Sequence, residues 1–258
     1  MLVSLIQPLF FERIFDMFKS LVPVNKARHE GKKIKQVQGF GFAADFHIAS
    51  IMVHEFARAS SLYPVVFLED KEQDSFRPVV LMGMDAGENL FVGADGKWQA
   101  SYVPAIIRRY PFALASAGEE GKYTVCIDEG SELISDTDGV PLFNELGEPA
   151  EALENVKRYL GELQQMDGFT NEFCKYMVAH NMLTPLNMRV QQADQVKNIN
   201  GCYVINEERL NGLSVDGFME LREKRYLPAV YAHLLSLAQI ERLMTLKEER
   251  QALLPKAA

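Results

Sequence analysis

The chain has 258 residues, 48% of them hydrophobic and 24% charged, with a formal net charge of −8. Its length and apolar content suffice for one large buried core. Its acidic balance argues against a nucleic-acid surface, which needs clustered Lys and Arg to neutralise phosphates, and the basic clusters here are short: Lys32, Lys33 and Lys35, and the pair Arg108–Arg109.

Met1 to Val22 is rich in Leu, Ile and Phe, but Glu12, Arg13, Asp16 and Lys19 interrupt the apolar run. That pattern fits neither a signal peptide nor a spanning helix. Phe10, Ile14, Met17, Phe18 and Leu21 recur at helical spacing, so residues 1–22 are expected to be an amphipathic extension. It could pack on its own domain, on a sister subunit, or weakly on a membrane surface. Residues 23–250 are expected to form a single domain.

His47 to Ser60 has helical spacing. Tyr63–Leu68 and Arg77–Gly83 are apolar runs rich in β-branched residues, and both read as buried strands. Asn89–Val92, the Asp95–Gly96 turn pair and Lys97–Trp98 predict a hairpin. Pro104 opens a short helix through Tyr110, and Tyr123–Ile127 is a further strand ending at Asp128–Glu129–Gly130. From about Glu148 the pattern is helical through His180, with a break expected at Asp167–Gly168. A strand pair is expected over Leu186–Val190 and Cys202–Ile205, turning at Asn200–Gly201. Two helices, Val215–Arg225 and Leu227 to about Arg250, close the chain, with Ser214 as N-cap and Pro228 in a first turn. The strand connections are too short for crossover helices. The fold class is therefore α+β, with a mixed, largely antiparallel sheet from the N-terminal half and a helical C-terminal half packed on it.

Motif patterns exclude several chemistries. There is no G-x-S-x-G elbow, no phosphate-binding G-x-x-x-x-G-K-[ST] loop and no dinucleotide fingerprint. His54–Glu55 is half of a zinc-helix motif, but Arg58 stands where the second histidine is required. Cys126, Cys174 and Cys202 are widely spaced and odd in number, which suits neither a disulfide framework nor a C-x-x-C site. They fit a reducing compartment, so a cytoplasmic location is expected. No metal and no cofactor is expected.

The most concentrated polar and aromatic feature is Arg108–Arg109–Tyr110–Pro111–Phe112. Two adjacent guanidiniums on a short helix diverge. One is expected to pair with a carboxylate such as Asp128 or Glu129, leaving the other for solvent or for a ligand carboxylate or phosphate. The candidate ligand-binding residues are Arg108, Arg109, Tyr110, Phe112, Asp128, Glu129, His29 and His47. His233, inside the apolar stretch Tyr231–Leu237, reads as a hydrogen-bonded core or interface histidine. The Leu-rich stripe beside it could support a homodimer.

Successive blocks of the chain resemble the SapC family. They are Phe42–Ala44, Glu55–Phe56 with Ala59, Tyr63–Phe67, Asn89–Val92, Trp98, Tyr102–Ala105 with Arg108–Phe112, Cys126–Glu129, Leu142–Phe143, Gly201–Leu210 and Tyr231–Leu237. The resemblance spans about Pro23 to Leu243, with His29 in its first block, and Met1 to Leu21 extends beyond it. It implies a bacterial protein linked to a paracrystalline surface layer, with an accessory part in nutrient uptake or modification. A peptide-transporter permease shares the name but needs several spanning helices. Two readings follow: a binding or assembly protein for a peptide, protein or small anionic ligand, or an enzyme whose site gathers His29 or His47 with Arg109, Asp128 and Glu129.

Overall fold

The described residues of the computed structural model are 17–71, 73–116, 121–192 and 195–253. Every ladder among them is antiparallel. The architecture is α+β, with most of the sheet in the first half and the longer helices beyond residue 150.

The largest sheet has the order β10-β13-β4-β5-β3. Its strands are β3 (Ile48–Ser50), β4 (Val65–Asp70), β5 (Ser75–Leu81), β10 (Leu183–Pro185) and β13 (Tyr203–Ile205). Alternate side chains of β4 enter different cores, Val65 and Phe67 on one face and Val66 and Leu68 on the other. Burial on both faces explains why this strand reads as an unbroken apolar run. Residues 48–50 correct the helix expected from His47: they pair with Val79–Leu81, and helix starts only at a 3-10 turn, Val53–Glu55, that leads into α2 (Phe56–Ala59). A ladder beside a buried strand outweighs helical spacing here. The Glu55 carboxylate accepts the Met52 N–H at 2.9 Å and fixes the start of the turn.

A second sheet, β1-β7-β6, comprises β1 (Leu21–Pro23), β6 (Phe112–Ser116) and β7 (Tyr123–Asp128). A small third sheet places β2 (Lys33–Ile34) between β8 (Ile134–Ser135) and β9 (Val140–Pro141), just after α1 (Lys26–His29). The strand β1 runs across residues 22 and 23, whereas residues 1–16 of the expected amphipathic extension lie outside the described residues. The expected hairpin at Asp95–Gly96 keeps its turn, with Gly96 at φ +73°, but its arms meet only at the bridge Val92↔Trp98. The expected pair across Asn200–Gly201 is also re-registered. β11 (Met188–Gln192) pairs with β12 (Gln195–Ile199), and Leu183–Pro185 pairs with Tyr203–Ile205. Gly201, at φ +82°, turns the chain from β12 into β13.

After α3 (Ala105–Arg108) comes the longest element, α4 (Glu151–Ala179). It is one helix of 29 residues, not the two expected from Asp167–Gly168. Leu153, Leu160, Leu163, Thr170, Phe173 and Met177 are all buried along it. The stripe therefore keeps its phase through Gly168, and burial at both ends outweighs the roughly 1 kcal/mol that a helical glycine costs relative to alanine. The helix ends where Asn181 adopts φ +53° and the Met182 N–H reaches back to the Met177 carbonyl at 2.8 Å. Its first half packs with Phe112, Ile127, Leu142 and Phe143, and its second half with Phe56, Phe67, Leu221 and Val230. One helix thus spans two cores.

The remaining helices are α5 (Glu207–Asn211), α6 (Val215–Glu223), α7 (Leu227–Ser236) and α8 (Gln239–Leu253). Ser214 caps α6 by accepting the Gly217 N–H, and Pro228 occupies the first turn of α7, as the sequence predicts. The last helix is broken, not continuous. The buried Ser236 hydroxyl accepts the Val65 N–H at 3.0 Å, and the Leu237 N–H closes a tight bond to the Leu234 carbonyl. Fastening α7 to the sheet redirects the chain into α8.

His233 lies wholly inside this interface, where its Nε2 accepts the Ile205 N–H at 3.0 Å and its ring packs on Phe67. Burial pulls its pKa down to about 3, with the Val65 backbone opposing the shift. The unfolded chain therefore binds a proton below about pH 6.5 that the folded chain refuses, and stability falls as pH drops from there toward 3. Between pH 7 and pH 5 urea denaturation should show a loss of about 2 kcal/mol that is absent in His233→Gln. Equal pH slopes in the two proteins would contradict this assignment.

Candidate functional site

The structure divides the eight residues singled out in the sequence among several places. Asp128, at the end of β7, is fully buried. Its Oδ1 accepts the Ser20 and Gly130 N–H groups at 2.7 and 3.1 Å, and its Oδ2 accepts the Lys19 N–H at 3.0 Å and the Tyr110 hydroxyl at 3.2 Å. A carboxylate with four donors has no coordination left to offer a ligand. Its work is to fasten residues 19–20 to the turn after β7. Glu129 meets Arg28 and, at 3.1 Å, Nε2 of the fully buried His29, whose Nδ1 contacts the Asn25 backbone. Tyr110 stacks on Phe42 with ring centroids 4.2 Å apart. Burial raises its phenol pKa, with the Asp128 charge adding to the shift.

Neither arginine forms the expected ion pair with Asp128 or Glu129. Arg108 turns outward, donating to the Val103 carbonyl at 2.9 Å with its guanidinium over the Tyr102 and Tyr159 rings. Phe112 is a core residue beside Ile127 and Leu142. His47 is half-buried on the other sheet, its carbonyl accepting the Met82 and Gly83 N–H groups. Among the described residues no group of three or more His, Cys, Asp or Glu side chains could hold a metal ion.

Arg109 points elsewhere. It lines a cavity of about 230 Å³ where the middle of α4 passes over the edge of the large sheet and α3. The polar part of the wall includes Ser50, Arg77, Arg109, Gln164, Asp167, Thr170 and Asn171; the apolar part includes Ile51, Met52, Ile106, Leu114, Leu160 and Leu163. Asp167 is already engaged, with Arg77 at 3.6 Å and the Asn171 amide at 3.2 Å. Arg109 is not so balanced. Its Nε–H is buried with no hydrogen-bond partner, and the Ser50 hydroxyl on the same wall is in the same condition. Burial pulls the Arg109 guanidinium down to about 10, against the opposing influence of Tyr159 and Asp167, so it stays charged at neutral pH. A guanidinium is the side chain whose charge and planar donors match carboxylates and phosphates.

No histidine lines this cavity. A more open cavity of about 660 Å³ shares Leu114 and Gln164 with it, and the Gln164 amide donates to the Tyr123 hydroxyl at 3.0 Å. Of the cavity's polar residues, Ser50, Arg77, Gln164, Asp167 and Asn171 escaped the sequence reading. Their signal was present only in part: Asp167 falls in phase with the apolar stripe of α4, seven residues after Leu160, and Arg77 stands within an apolar strand.

The SapC family model matches residues 24–243. The chain belongs to the SapC family. The matched span contains every residue lining the Arg109 cavity, while Lys19, Ser20 and β1, which Asp128 and β7 hold, precede it in this SapC chain. No curated protein and no solved structure matches the chain significantly. No helix among the described residues is long and apolar enough to cross a membrane.

The two buried polar centres should respond differently to mutation. Asp128→Ala strands several amide donors and is expected to lower unfolding free energy by about 3 kcal/mol in urea titration. Arg108→Gln, at an exposed position, is expected to change it by no more than about 1 kcal/mol. Similar values for both would remove Asp128 from its fastening role.

Proposed function

We propose that this SapC-family protein is a non-enzymatic accessory protein that binds a small anionic ligand in the cavity beside Arg109. The observation that carries the proposal is Arg109 itself, a half-buried cation that lines the cavity and whose Nε–H is buried with no partner. A buried donor without an acceptor is destabilising, and a buried cation without a close counter-charge is more so. An anion in the cavity would supply the counter-charge. The surrounding protein supports the same reading, because Asp167, the carboxylate whose charge acts on Arg109, is shared with Arg77 and Asn171.

Of the three ligand classes open from the sequence, a peptide, a protein or a small anion, a cavity of about 230 Å³ favours the last. It is smaller than the roughly 300–1,000 Å³ of cavities that hold drug-sized ligands. A setting in surface-layer assembly or nutrient uptake is the one the family name suggests. In that setting the protein would sense or deliver its ligand to a partner.

Thermal unfolding measured against acetate, inorganic phosphate, sulfate and short carboxylic acids tests the proposal. At a hundred times its Kd, a true ligand should raise the Tm of the unaltered protein by about 5–10 °C. Arg109→Gln should lose that response. The proposal fails if no anion raises the Tm, or if Arg109→Gln responds as the unaltered protein does.

A further inference from the structure

Resting on that reading, we infer that the ligand is a monocarboxylate with an apolar body, and that the cavity discriminates against phosphate. The charged side chains on its wall are Arg77, Arg109 and Asp167, two cations and one anion. Arg77 and Asp167 are 3.6 Å apart and largely offset one another, so a single positive charge is left for the ligand to neutralise. One carboxylate meets that requirement. Inorganic phosphate near neutral pH is a mixture of mono- and dianion, and the dianion would carry an unpaired negative charge into a site walled by apolar groups, which is strongly penalised.

The donors set the geometry of the charged end. The planar guanidinium matches a carboxylate's two oxygens, and the free Ser50 hydroxyl supplies a further hydrogen bond from the strand side of the cavity. The apolar walls set the rest of the ligand. Ile51, Met52 and Ile106 face Leu160 and Leu163 of α4, with Leu114 of β6 also present. These groups stabilise a hydrocarbon body and offer nothing to hydroxyl-rich or multiply charged acids. No bond is made or broken in this assignment.

Calorimetric titration of the full-length protein with acetate, butanoate and hexanoate, with hexanamide and inorganic phosphate beside them, tests the assignment without depending on how any variant folds. Affinity should rise about fourfold for each added CH₂. Hexanamide and phosphate should bind at least about tenfold more weakly than hexanoate. Arg109→Gln should weaken hexanoate about 10- to 100-fold, and Ser50→Ala should weaken it by a smaller factor. A flat series from acetate to hexanoate overturns the assignment, as does phosphate binding more tightly than hexanoate. If either result still depends on Arg109, the anion site stands and only the ligand class falls. If none of the anions binds, both the class and the site fall.

Discussion

A single helix has to satisfy two cores, and the rest of the molecule is arranged around that requirement. The α4 helix gives Leu153, Leu160 and Leu163 to one hydrophobic cluster and Phe173, Cys174 and Met177 to another. The two clusters belong to different sheets, so the helix crosses from one to the other near Gln164–Asn171. At that crossing its sheet-facing stripe changes from Leu to Asp167 and Thr170, and the cavity opens there. Thr170 is fastened twice, accepting the Val53 N–H at 3.0 Å and donating to the Met166 carbonyl at 2.8 Å. Filling the gap with apolar side chains would have joined the two cores into one. Instead the gap is lined by polar groups, among them the Ser50 hydroxyl and the Arg109 Nε–H, which retain unmet hydrogen-bonding capacity.

Asp128 and Arg109 differ in how fully their hydrogen bonds are met. Asp128 is fully buried and Arg109 half-buried, and taking an ion out of water is expensive unless its partners are in place. Asp128 has four donors around it and is complete. Glu55 follows the same rule: it is buried and accepts from Met52, Ala105 and Tyr102. At the other end of the protein Lys247 is held by Glu88 and Asp85, with the Arg250 guanidinium on the Asn89 and Val92 carbonyls. Those satisfied networks hold loops and helices to the sheets. Arg109 departs from the pattern, and a departure from local consistency is where function is to be sought.

Much of the fold could be read from the sequence because its local signals agree with its packing. The apolar runs at 63–68 and 77–83 became the paired central strands, and Ser214 and Pro228 mark helix starts as their chemistry requires. Two of the errors share one cause: long-range packing overrode local propensity. Ile48–Ser50 became a strand because Val79–Leu81 lies beside it, and Gly168 did not break α4 because apolar side chains continue in phase on both sides of it. The site was legible only through Arg109. His29, Asp128 and Glu129 attracted notice as titratable groups, but their hydrogen bonds are visible only in three dimensions, and none of the three lines the Arg109 cavity. Ser50, Arg77 and Asp167 come from three distant segments, and no spacing rule connects them.

The chain belongs to the SapC family, and the cavity within the matched span offers a testable chemistry. The central claim concerns one N–H group. The most direct measurement is the ¹⁵N–¹H resonance of the Arg109 Nε–H during titration with hexanoate, assigned by comparison with Arg109→Gln. The account predicts a saturable shift of that resonance while the outward-facing Arg108 stays unchanged. An Arg109 signal that does not move, or one that drifts together with Arg108 without saturating, would contradict it.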